Sequence, residues 1–205
     1  SLLKNNNGID FGSTYTDGDV KSGLSEDKKS ETNVSVTADK KEIKYTGYQF
    51  TGVTTASVDG TKAYGGVSKA GNATHHNNIT VNGSAAVSGT VYGGFTDVTG
   101  GRASNNTVSL GSVTVNQVVG GEGTTTDNNT VNINGTTVTD KIIGGTAADG
   151  TGNTLNVAGT NTAANIVGFQ KVAFNTNGVA ANGTVLNLTG GAATKVDWTN
   201  LTATG

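Results

Sequence analysis

Two short motifs recur in step along this chain, and that recurrence limits the available folds more than any other feature. The first motif reads K-A-Y-G-G from Lys62, T-V-Y-G-G from Thr90, Q-V-V-G-G from Gln117, K-I-I-G-G from Lys141 and N-I-V-G-F from Asn165. Its first glycines are Gly65, Gly93, Gly120, Gly144 and Gly168, spaced 28, 27, 24 and 24 residues apart. The second motif lies between copies of the first. It reads H-N-N-I-T-V from His76, N-N-T-V-S-L from Asn105, N-N-T-V-N-I from Asn128 and G-N-T-L-N-V from Gly152. A unit of this length cannot bury its own apolar face, so successive copies must stack.

The apolar pairs of the second motif (Ile79/Val81, Val108/Leu110, Val131/Ile133 and Leu155/Val157) alternate with polar residues, the period of a strand with one buried face. Thr, Val and Ile favour strands, and no segment carries a helical period. The expected fold is all-β, a right-handed parallel β-helix (β-solenoid) with coils of about 24 residues. Composition agrees with this. The chain has 35 Thr, 32 Gly and 24 Asn among 205 residues, and no Pro, Cys or Met. Proline would interrupt pairing between coils. Glycine pairs are expected to turn the backbone sharply, and asparagines to form ladders from copy to copy.

Charge divides the chain. Residues 1–62 hold 8 of the 13 basic and 9 of the 15 acidic side chains. Residues 1–31 read as a polar, loop-rich lead-in and 32–61 as N-terminal strands or a cap, with strands expected at Thr32 to Val36 and Lys44 to Phe50. Residues 62–169 form the repeat solenoid, and 170–205 the terminal coils and cap. Strands are expected there at Lys171 to Phe174 and Thr184 to Leu188, with Leu186 and Leu188 resembling the earlier apolar pairs and Trp198 covering the last coil.

The repeat varies in length mainly between a glycine pair and the next asparagine, the side on which a stacked array meets a partner. That segment carries the candidate partner-facing residues Lys69, His75, His76, Phe95, Asp97, Arg102, Glu122, Asp127 and Asp149. A carbohydrate-active β-helix would need Glu122, Asp127 and Asp149 in one groove, since such chemistry uses clustered carboxylates. Loop solvation is the plainer reading of these charges. Adjacent residues such as His75 and His76 point to opposite faces of a strand and do not share a metal. No serine-nucleophile, phosphate-loop or repeated calcium motif occurs, so no catalytic residue, metal or cofactor is expected. A net charge of -2 argues against nucleic acid. With no cysteine the chain is free of disulfides, which suits export unfolded. Without methionine, Ser1 is expected to mark a processing boundary.

The V-Y-G-G … N-N-T-V-x-[IL] cadence from Lys62 to Phe169, followed by G-F-Q-K-V-A-F and G-T-V-L-N-L-T-G-G-A-A-T up to Thr194, resembles the passenger region of type V autotransporters of Gram-negative bacteria. The resemblance covers about two-thirds of the chain. It implies a non-enzymatic adhesin or stalk segment on the outer-membrane surface or outside the cell. It also implies anchoring through a C-terminal membrane barrel not contained in these residues, and a surface glycan or protein of host or bacterium as partner. The alternatives are the carbohydrate-active β-helix and a trimeric autotransporter head.

Overall fold

The structure, a computed structural model, describes residues 89–97 and 99–190 continuously. Outside them it describes the strands Gly8–Ile9, Thr32–Val36, Thr54–Val58, Lys62–Ser68, Thr74–His75, Asn77–Val81 and Leu201–Thr204. The strand expected at Lys44 to Phe50, most of the lead-in, Lys69, His76 and Trp198 lie outside the described residues.

Every regular element among the described residues is a strand. The glycine motifs build one sheet. Lys62–Ser68, Thr90–Thr96, Gln117–Glu122, Lys141–Gly145 and Asn165–Val167 follow one another in parallel, each hydrogen-bonded to the next copy. The asparagine motifs build a second. Thr32–Val36, Asn77–Val81, Thr107–Leu110, Thr130–Asn134, Thr154–Ala158, Lys171–Asn175 and Leu201–Thr204 are parallel throughout. A third sheet of short strands joins Thr114–Val115, Thr137–Val138, Asn161–Ala163 and Leu186–Leu188. Among these three sheets, from Thr90 to Leu188 the chain visits the first, the second and the third in that order, then returns to the first one strand further on. Thr54–Val58 departs from this pattern, because it pairs antiparallel with both Gly8–Ile9 and Lys62–Ser68.

Equivalent apolar residues form columns inside the stack. Val91, Val118, Ile142 and Ile166 line up from the first sheet. Ile79, Val108, Val131, Leu155 and Val172 line up from the second. All are fully buried, and each contributes about 1.5–3 kcal/mol of hydrophobic stabilisation. Val113, Val115, Val138 and Ala163 complete the same core from the third side.

A buried polar column runs beside the apolar ones. Asn106, Asn129 and Asn153 are each 0% exposed. The Asn129 side-chain oxygen accepts from the backbone N–H of Asn106 (3.0 Å) and from its side-chain amide (3.1 Å). The Asn153 oxygen accepts from the Asn129 N–H at 3.0 Å. The Asn129 and Asn153 amides donate to the carbonyls of Ala103 (3.0 Å) and Thr126 (2.9 Å). These corners have no sheet ladder of their own, so the amides satisfy backbone groups that burial would otherwise strand.

The column explains the glycine pairs differently from the turn expected of them. The first glycines Gly93, Gly120 and Gly144 have no positive φ, and of this set only Gly168 does, at 74°. A Cβ on Gly120 would sit 2.5 Å from the Gly144 carbonyl oxygen and 3.0 Å from the Asn129 Cβ. One on Gly121 would lie 2.6 Å from the Asn129 amide nitrogen. Glycine is required because a backbone carbonyl of the adjacent coil and the column asparagine together occupy the space a Cβ would take at Gly93, Gly120 and Gly121. The left-handed positions belong instead to Asn105 (φ 58°), Asn128 (55°) and Gly152 (68°), each just before a column asparagine.

The last full circuit is shortened. Gln170 stands two residues after Gly168 and takes the column position, its side-chain oxygen accepting from the Asn153 N–H at 2.9 Å. Lys171–Asn175 therefore pairs where another asparagine motif was due, with Val172 and Phe174 beside Leu155 and Val157. Leu186 and Leu188, which resemble the earlier apolar pairs in sequence, belong to the third sheet instead. Phe169, in the second-glycine position, is fully buried in the core.

Candidate functional site

Two surface regions follow from this stacking. The first is the segment of variable length between a glycine strand and the next column asparagine. Parallel register sets Phe95 beside Glu122. The Phe95 ring meets Tyr92 edge-on, centroids 5.3 Å apart and planes at 75°. Burial pushes the Tyr92 hydroxyl above its ordinary pKa and the nearby Glu122 carboxylate adds to this, while a hydrogen bond with the Thr90 side chain opposes it. Next to this pair lies a shallow cleft of about 250 Å³, walled by Thr96, Asp97, Thr99, Glu122, Thr124 and Thr146.

Of the residues singled out in the sequence, Phe95, Asp97 and Glu122 thus come together. The others are separate. Arg102 is exposed and bridges in parallel to Thr125. The Asp127 carboxylate is engaged in stacking, accepting from the backbone N–H (2.9 Å) and hydroxyl (3.3 Å) of Thr151 one circuit on. Asp149 is exposed, and neither it nor Asp127 is a wall of the cleft. The backbone of His75 lies in the two-residue strand opposite Ser104. Among the described residues no group of three or more His, Asp or Glu is placed to hold a metal ion.

The second region lies on the outward face of the second sheet, where sequence reasoning had singled out nothing. A groove of about 500 Å³ runs across six of its strands. Along its length the outward residues Thr80, Ser109, Asn132, Asn156 and Ala173 stand in register. The Asn132 amide donates to the Ser109 hydroxyl at 3.0 Å, and the Asn156 amide to the Asn132 carbonyl at 2.8 Å. The row then reaches Ala173, which has no donor to continue it. The groove's other wall is Gly111, Asn134, Ala158 and Asn175, with Phe174 and Thr204 at the end. Among the described residues its lining holds no charged side chain. The available signal in the sequence was the frame shared by S-L-G, N-I-N, N-V-A and A-F-N, whose polar positions read simply as the solvated half of a strand.

Compared with family models, curated proteins and solved structures, the chain matches none.

Proposed function

We infer that this chain is a non-enzymatic module of a secreted or cell-surface protein: a right-handed parallel β-helix acting as an adhesin or stalk segment, as in an autotransporter passenger. The observation that carries the reading is the unbroken parallel register of the second sheet, from Thr32–Val36 to Leu201–Thr204. A stack held by repeated side-chain columns supplies length and flat faces, which suit projection and contact. The carbohydrate-active alternative is the weaker one. It needs Asp127 and Asp149 beside Glu122, whereas the Asp127 carboxylate is engaged by Thr151 and neither aspartate is a wall of the Glu122 cleft.

The test is adherence set against turnover. Beads coated with the full chain are expected to adhere to epithelial or bacterial cell surfaces, and to release no reducing ends from a panel of polysaccharides. Release of reducing ends that disappears in Glu122→Gln would replace the reading with the enzymatic one. Protease treatment of intact source cells is expected to remove the chain. Its survival there and loss only after lysis would overturn the surface assignment.

A further inference from the structure

We propose that the groove on the outward face of the second sheet binds an extended, uncharged glycan chain lying along the stacking direction. The inference rests on the adhesin reading above and names its ligand class. Three features of the groove point to this occupant.

The first is its chemistry. Amide and hydroxyl groups stand along it between stretches of apolar and backbone surface, and among the described residues its lining holds no Asp, Glu, Lys or Arg. Such a surface matches the hydroxyls and amides of a neutral sugar and offers no counter-charge to an acidic glycan, a nucleic acid or a charged peptide.

The second is a fixed and unused hydrogen-bonding edge. The bond to Asn132 locks the Asn156 amide plane. Ala173 interrupts the row between Asn156 and Thr202, so among the described residues nothing donates to the Asn156 side-chain oxygen. Asn156 is half-buried. This acceptor is therefore oriented before any ligand arrives, which removes part of the ordering cost of binding. Asn134, across the groove, is exposed, and its amide is likewise available.

The third is length and floor. Six strands at about 4.8 Å give a groove roughly 24 Å long, enough for several sugars in extended linkage. Ala173 opens its floor between the longer side chains of Asn156 and Thr202 on either side.

The experiment follows from the break at Ala173. The full chain, labelled with nitrogen-15, is titrated with neutral hexasaccharides of glucose, xylose and N-acetylglucosamine, and with hexagalacturonate and a lysine-rich peptide as charged probes. At least one neutral hexasaccharide should saturate at millimolar concentration and shift the Asn132, Asn134 and Asn156 side-chain amide resonances. Ala173→Asn, which continues the row and donates to Asn156, should keep the fold and weaken binding about tenfold or more. Asn134→Leu, on the exposed wall, should weaken it independently.

Saturation by no neutral hexasaccharide, tighter binding of either charged probe, or binding unchanged in both variants would overturn the proposal. Bead adherence that persists in Ala173→Asn would sink the glycan groove while leaving the adhesin reading intact. Release of reducing ends from a bound hexasaccharide would sink the adhesin reading itself.

Discussion

The backbone N–H of Asn129 donates to the side-chain oxygen of Asn153 at 3.0 Å, with both residues sealed from solvent. Through this link each circuit satisfies the buried corner of the one before it. Asn129 also accepts from Asn106 and donates to the Ala103 carbonyl. Asn129→Ala would strand a buried N–H and a buried carbonyl together. At about 1–3 kcal/mol for each buried group left unpaired, the expected loss is about 2–6 kcal/mol, read as a lower urea midpoint. Asn132→Ala removes a comparable amide pair from the half-buried outward row, where water replaces the lost partners. Its loss should stay under about 1 kcal/mol. Equal losses in the two variants would show that the buried column does not carry the stack.

Gly120 tests whether the glycine pairs serve clearance or turning. Its φ is not positive, so alanine is acceptable to the backbone there, and only crowding opposes it. The added methyl would lie 2.5 Å from the Gly144 carbonyl oxygen, a backbone atom held by the sheet. Overpacking of this kind costs about 1–3 kcal/mol or more, and Gly120→Ala should lower the melting temperature accordingly. Gly178 is the converse case, with φ 78° and nothing within 4 Å of an added Cβ. Gly178→Asn should be nearly neutral, since asparagine tolerates that conformation.

Much of this architecture was legible in the sequence because it repeats. The two motifs put the first and second sheets in register, and strands expected at Thr32 to Val36 and Lys171 to Phe174 stand at Thr32–Val36 and Lys171–Asn175. The third sheet was not singled out. Strands such as Thr114–Val115 and Thr137–Val138 each carry one buried residue, too few to show a period. Their trace was the recurring glycine ahead of them, at Gly111, Gly135, Gly159 and Gly183. The role of the glycine pair was hidden for a different reason. Its cause is the Gly144 carbonyl and the Asn129 side chain, which both crowd Gly120 from elsewhere in the chain, and a one-dimensional pattern does not pair residues across a core. For the candidate site, Phe95, Asp97 and Glu122 could be grouped by segment, but the groove over Asn156 depends on where the amide row stops. That depends in turn on Gln170 shortening a circuit so that Ala173 falls beside Asn156.

The asparagine pairs divide their duties. Asn128 holds φ 55° while Asn129 fills the column. A β-branched residue resists that conformation by about 1–2 kcal/mol, so Asn128→Val should destabilise by that amount. Asn128→Gly should be tolerated, as the natural Gly152 at the equivalent place indicates. Thermal melts of the two variants check this. A Val variant as stable as the Gly variant would contradict the left-handed assignment.

Tyr92 supplies a dependence on pH. Burial, and after it the Glu122 carboxylate, raise the pKa of its hydroxyl in the folded chain above the ordinary value of 10.0. The folded state therefore holds this proton more tightly than the unfolded state. Below the ordinary value both states are protonated and the contribution to stability is complete. As pH rises above it the unfolded tyrosine ionises first, so stability falls until the folded group also ionises. Melting temperature should accordingly decline as pH rises past about 10, and Tyr92→Phe should flatten that decline. Glu122→Gln should reduce it only in part, because burial is the larger cause. An absorbance titration of phenolate would locate the same group, and a decline identical in the wild-type and Tyr92→Phe chains would assign it elsewhere.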